Sequence, residues 1–310
     1  MRLRARVYNR GMTRREFLKA ALASSFYLAS RRLFPAGLMT AAADVGIAIG
    51  TDYQKAVTAA VDLVGVIRAY VKPGHVVVGK PNIGWNSPPA VKATTDPVVV
   101  RTLVHLCFQA GASKVYVFDR SVDNPRLAYV TSGIQKAAEE AGAKVLQVDN
   151  AGDAKLYPRI AIPNAYDLKD SLVNRYAIEC DTFVNVPIAK THGTAGLTLG
   201  LKNLMGVTGD QRGKWHWAMD DDIADINRVV HSKLTLIDAS SIMLRGGPTG
   251  GNPAYLKRLD TFIASSNVVS ADAEAAKLFG RSAADILYIA KAEKAGIGRA
   301  SGYAVQRTGA

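Results

Sequence analysis

The chain has 310 residues, 48% of them hydrophobic and 21% charged, which excludes a disordered or collagen-like protein and leaves ample chain for a core. It contains no run of about 18 uncharged apolar residues, so a permanent membrane span is not expected. The net charge of +13 sits largely at one end, because residues 1–43 hold eight arginines and Lys19 against Glu16.

The remaining 267 residues therefore carry a surplus of only five positive charges. A mildly basic body of this kind suits an anionic small molecule. It lacks the Lys/Arg runs with interleaved aromatics that mark a nucleic-acid surface. Cys107 and Cys180 are the two cysteines, both in apolar contexts, and no CxxC is present to support a zinc ribbon or a cysteine-ligated iron–sulfur cluster.

The segment Thr13-Arg14-Arg15-Glu16-Phe17-Leu18-Lys19 matches the S/T-R-R-x-F-L-K pattern of twin-arginine export signals. A moderately apolar run, 20–30, follows it, and Ala41-Ala42-Ala43 offers an A-x-A cleavage site. The expected partner of residues 1–43 is the twin-arginine export machinery, and the expected location is periplasmic or otherwise extracytoplasmic. Arg31 and Arg32 interrupt the segment, so cleavage and retention as an anchor both stay open.

After residue 43 the pattern alternates. Residues 52–71 read as a helix with apolar residues at three- and four-residue spacing, and 75–79 as a short strand. Asp96-Pro97 opens a second helix that Gly111 ends. A strand at 114–118, a helix at 132–141 and a strand at 144–148 follow. Residues 150–180 read as an irregular insertion or cap. The pattern then gives a strand at 182–186, helices at 194–206 and 220–232, a strand at 234–237, an edge strand at 261–264, helices at 271–279 and 282–294, and a frayed tail. Short apolar strands alternating with helices predict one α/β domain over 44–310, a mostly parallel sheet with helices on both faces.

In such a sheet, ligands bind outside the carboxyl ends of the strands. The residues there are Lys80, Asn82 and Trp85; Asp119, Arg120, Ser121, Asn124 and Arg126; Asp149 and Asn150; Lys190, Thr191 and His192; and Asp238. Lys80, Arg120, Arg126 and Lys190 supply positive charge for an anion, and a helix opening at Gly193-Thr194 would add backbone N–H groups. His192, with an ordinary pKa of about 6.5, is the candidate for proton transfer, and Asp119 or Asp238 would orient it. His216, between Trp215 and Trp217, reads as a lid or a partner surface. No HxH or HExxH spacing supports a metal, and no dinucleotide or P-loop fingerprint is present.

The stretches KPNIGWNSPP, ATTDP, DRSVDNPRLAYVTSGI, NVPIAKTHGTAGLTLGLKNLMG and LRGGPTGG together resemble domain-of-unknown-function family 362 over residues 75–280. The resemblance selects Lys80, Asn82, Asp119, Lys190, His192, Lys202, Asn203 and Gly206. The ferredoxin-like insertion of some members is absent, so the resemblance implies no iron–sulfur cofactor here and names none in its place. Three readings stay open: an enzyme acting on an anionic small molecule, a cofactor- or metabolite-binding accessory protein, and a redox protein with a non-cysteine cofactor. In the first, His192, Asp119 and Lys190 are catalytic, and Lys80, Asn82, Arg120, Arg126, Lys202 and Asn203 bind substrate.

The signal reading has a direct test. Residues 1–43 fused to a reporter that must fold before export should carry it across the membrane. Export should be lost with Arg14→Lys plus Arg15→Lys, and unchanged export in that variant would refute the reading.

Overall fold

Apolar side chains alternate along the long strands, and that alternation decides the layering. The computed structural model describes residues 42–148, 153–210 and 212–310; the expected signal motif at 13–19 and the strand-end residues Asp149 and Asn150 lie outside them. Val77, Val184, Leu236 and Phe262 face one side of the sheet, and Val78, Phe183, Ile237 and Ile263 the other.

β1 (Val45–Ile49) leads into α1 (Tyr53–Leu63) and the single-turn α2 (Ile67–Tyr70). β2 (Val76–Pro81), α3 (Pro97–Gln109), β3 (Lys114–Val117), α4 (Pro125–Thr131), α5 (Ile134–Glu140) and β4 (Lys144–Val145) follow. β5 (Arg159–Ala161) and β6 (Asp170–Leu172) form a small separate antiparallel pair, and α6 (Arg175–Glu179) returns the chain to β7 (Thr182–Val186). Next come β8 (Ile188–His192), β9 (Gly196–Thr198), α7 (Gly200–Asn203) and α8 (Met219–Ile226). β10 (Leu234–Met243), β11 (Leu256–Ser265), α9 (Val268–Lys277), α10 (Leu287–Lys294) and β12 (Val305–Gly309) complete the series.

The sheet runs β12-β1-β11-β10-β7-β2-β3-β4, with β8 pairing β10 and β9 pairing β8. Only β11 and β9 run against their neighbours in it. Helices α1 to α5 seal one face, and α6 to α10 the other. This is the α/β architecture, mostly parallel with helices on both faces, that the sequence pattern predicts. None of the described helices is long and apolar enough to cross a membrane.

Several elements differ from the sequence reading. The helix expected over 52–71 breaks at Gly65 and Val66, both at positive φ. The strand expected at 144–148 pairs only at 144–145, because its partner β3 ends at Val117; beyond it the Leu146 carbonyl accepts from the Tyr129 hydroxyl. The segment 261–264 belongs to a ten-residue strand between β1 and β10, not an edge. The tail is not frayed: β12 pairs parallel to β1. The helix expected over 194–206 is a β8–β9 hairpin followed by the single turn α7, with His192 paired to Gly196 across the hairpin.

The start of α7 depends on Asp272 of α9. Its Oδ1 accepts from the Gly200 N–H at 2.7 Å and its Oδ2 from the Leu201 N–H at 2.8 Å. Complete burial pushes this carboxyl up to about 7, against the lowering effect of those two bonds. A folded-state pKa above the unfolded value means stability that is present at low pH and lost as pH rises through about 7. Urea denaturation of wild type and Asp272→Asn should show a stability difference that declines from pH 4 to pH 8. Parallel pH profiles for the two proteins would refute this account.

Candidate functional site

The parallel strands deliver their polar residues to one place. A cavity of about 610 Å³ lies at the carboxyl ends of β2, β3 and β8, and Lys80, Asn82, Asp119, Arg120, Lys190, His192, Lys202 and Asn203 all line it. Five described strand-end residues do not: Ser121, Asn124, Arg126, Thr191 and Asp238. Arg126 sits exposed at the start of α4 and does not reach the cavity wall. Asp238 is not at a strand end, because β10 continues to Met243; it is buried, accepting from the backbone N–H groups of Asp96 and Ser240.

The floor is a buried ion pair. Lys80 Nζ lies 2.7 Å from Asp119 Oδ1, with only 1% and 3% of the two side chains exposed. Lys80 Nζ also donates to the Pro81 carbonyl at 2.9 Å and to Asn203 Oδ1 at 3.0 Å. Asp119 Oδ2 accepts from the Ile83 N–H at 2.7 Å, and the Tyr129 hydroxyl bonds both the N–H and the carbonyl of Asp119. Asn203 is fixed from two sides, donating through Nδ2 to the Lys80 carbonyl and to Asn185 Oδ1. Ion pair and amide thus lock β2, β3 and β7 to α7.

Lys190 is held differently. Its Nζ donates to the Ala93 carbonyl and, at 3.4 Å, to Asn82 Oδ1. Burial pushes its pKa down to about 7, assisted by the positive charges of Lys202 and Lys80 and opposed by Asp119. Lys202, at the end of α7, lies 3.2 Å from the Met205 sulfur.

His192 does not titrate where the sequence reading places it. Burial, then the neighbouring Lys202, Lys190 and His216, push it down to about 3. Its Nδ1 accepts from the N–H groups of Thr194 and Ala195, both at 3.2 Å, which leaves the ring proton on Nε2. Of the N–H groups expected to hold an anion at Gly193-Thr194, that of Thr194 is therefore spent on the imidazole. At neutral pH His192 is an uncharged N–H donor.

Arg120 Nη1 donates to the Thr208 and Asp210 carbonyls at 2.9 and 2.7 Å, and burial lowers its pKa. Asp210 in turn accepts from Ser171 and Leu172 of β6, so the 153–180 insertion buttresses this wall. His216 lines the cavity, but the two tryptophans beside it diverge: Trp215 is a core residue, 2% exposed, and Trp217 is 91% exposed. The sequence reading missed Gly247 and Pro248 as strand-end residues; they line the cavity in the loop after β10. Both cysteines are free thiols, and burial raises each to about 12. Among the described residues no three His, Cys, Asp or Glu side chains gather as a metal site.

Gly206 lets the backbone lie against the ion pair. A Cβ there would stand 1.8 Å from Asp119 Oδ1 and 2.6 Å from Lys80 Nζ. Gly206→Ala should destabilise the fold by about 1–3 kcal/mol. Gly213 also lines the cavity, but a Cβ there meets nothing within 4 Å, so Gly213→Ala should leave the melting temperature unchanged. Equal melting temperatures for the two variants would contradict this packing.

A Synechocystis protein named "Thylakoid-associated protein sll1697" is 22% identical over 219 residues, 67% of this chain and 64% of its own length. The chain thus spans a little under two thirds of that relative. The lactate racemase apoprotein from Thermoanaerobacterium thermosaccharolyticum is similar at 13% identity and a TM-score of 0.45, over 77% of this chain and 57% of that one. A Thermotoga maritima protein is similar at 13% identity and a TM-score of 0.44, over 74% and 58%. Residues 77–277 match the profile described as "Domain of unknown function (DUF362)", well over half of the chain, and the chain belongs to that family.

Proposed function

We propose that the chain binds a small organic anion in this cavity and moves a proton on it. One observation carries the reading. Among the described lining residues, Lys80, Arg120, Lys190 and Lys202 face a single carboxylate, Asp119, which is already bonded to Lys80 and to the Ile83 N–H. An anion entering the cavity meets a lining in which cationic side chains outnumber carboxylates. The twin-arginine pattern at 13–19 supports action outside the cytoplasm.

The roles differ from those read in the sequence. Lys190, brought down to about 7, is the group poised to accept or release a proton near neutral pH. His192 donates its Nε2–H to an oxygen where negative charge develops, a task for which a neutral imidazole is suited. Lys80 is the structural cation that holds Asp119. Asn82 orients Lys190, and Lys202 is the cation assigned to the anionic group of the substrate.

The pH dependence follows from Lys190. It is charged below about 7 and neutral above, so anion affinity falls as pH rises through that value. Calorimetric titration with oxalate and with inorganic phosphate should give tighter binding at pH 6 than at pH 8 for at least one of them. Lys190→Met should weaken the pH 6 binding about tenfold, the ~1.5 kcal/mol of one charge-assisted hydrogen bond, and flatten the pH step. Absence of binding by both anions at both pH values would refute the reading.

A further inference from the structure

We propose that Lys190 is a covalent nucleophile whose Nζ adds to the carbonyl carbon of a small 2-oxo acid and forms an imine. The inference rests on the anion-binding reading above and names the substrate class for it.

The three lysines of the cavity are not equivalent. Lys80 Nζ has three oxygen partners, two in hydrogen bonds and one a carboxylate in an ion pair at 2.7 Å, a setting that suits an ammonium. Lys190 Nζ has two partners, the Ala93 carbonyl and Asn82 Oδ1, both neutral, and no carboxylate within ion-pair distance among the described residues. A neutral amine has two N–H groups and one lone pair. The two acceptors satisfy the N–H groups, and the remaining tetrahedral position belongs to the lone pair. Burial beside Lys202 and Lys80 disfavours the third proton, the two conditions that activate a lysine toward carbonyl carbon.

The neighbours complete the step. Lys190 and His192 are two residues apart on β8, so both side chains leave the same face of the strand. Lys202 is close enough to weigh on the pKa of both. A 2-oxo acid places its carboxylate one bond from its carbonyl. The carboxylate meets the Lys202 ammonium, and the carbonyl lies between Lys190 Nζ and the His192 Nε2–H.

The Lys190 lone pair forms the C–N bond while the carbonyl π pair moves to oxygen, which His192 stabilises by hydrogen bonding. That oxygen takes up a proton from the added amine. The second amine proton then leaves with it as the C–O bond breaks, releasing water and leaving C=N. No oxidant or reductant is consumed.

The test uses the full chain with pyruvate as probe and sodium borohydride as trap, followed by peptide mass mapping. Borohydride delivers hydride to the imine carbon and leaves an N-(1-carboxyethyl) group on the lysine. At pH 7.5 only about a thousandth of an ordinary surface lysine is neutral, so labelling of Lys190 should exceed that of any surface lysine at least tenfold. Lys190→Arg should remove the label, with circular dichroism confirming its fold; the mapping on wild type decides the matter even if that variant fails to fold. Oxalate, which forms no imine, is titrated in parallel to test the anion reading alone. Oxalate binding with no Lys190 adduct, or with label spread over other lysines, overturns the imine and leaves the anion site standing. Absence of the adduct together with absence of both oxalate and inorganic phosphate binding overturns both.

Discussion

A buried ion pair joins the end of β2 to the residues just past β3, and the cavity is assembled around it. Lys80 and Asp119 meet at 2.7 Å with almost no solvent access. Such a pair is a costly arrangement unless further hydrogen bonds support it, and here Pro81 and Asn203 accept from Lys80 while the Ile83 N–H donates to Asp119. Removing one partner would leave the other charge stranded, typically a loss of about 3–5 kcal/mol. The pair therefore fixes the spacing of two strand ends and the position of the turn that contributes Lys202 and Asn203. It also engages the one carboxylate among the described residues that line the cavity.

From that constraint the chemistry of the remaining groups follows. Lys190 stands one strand away, in reach of the same field but without a carboxylate of its own, and burial makes its proton labile. His192 sits two residues further along, its Nδ1 committed to the hairpin backbone. The hairpin that replaces the expected helix thus fixes the tautomer of His192, while burial and the nearby cations keep the ring neutral. Burial and neighbouring charge, not residue type, assign these two their tasks.

Much of this was legible in the sequence. Short apolar strands alternating with helices gave the sheet class, and reading the residues that follow each strand brought together Lys80, Asn82, Asp119, Arg120, Lys190 and His192. Lys202 and Asn203 came from the family resemblance. What failed did so for physical reasons. Ile237 looked like the end of a strand because Asp238 follows it, yet β10 runs on to Met243 through buried polar residues that its neighbours satisfy. That one boundary error promoted Asp238 and hid Gly247 and Pro248. Gly193-Thr194 resembled a helix start because hairpin turns and helix caps draw on the same small polar residues. The lowered pKa values of Lys190 and His192 depend on charges and burial that meet only in space, so no local pattern encodes them.

The closing strand has a consequence of its own. β12 zips along β1, Val45 to Val305 and Ile49 to Gly309, so 255 residues of intervening chain separate the two halves of one ladder. β1 cannot acquire this neighbour until residue 309 has left the ribosome. Until then its outer backbone groups stay open to water or to a foreign strand. Closure of this edge is therefore a late pairing, open to the chain only after every other described strand of the sheet has been made.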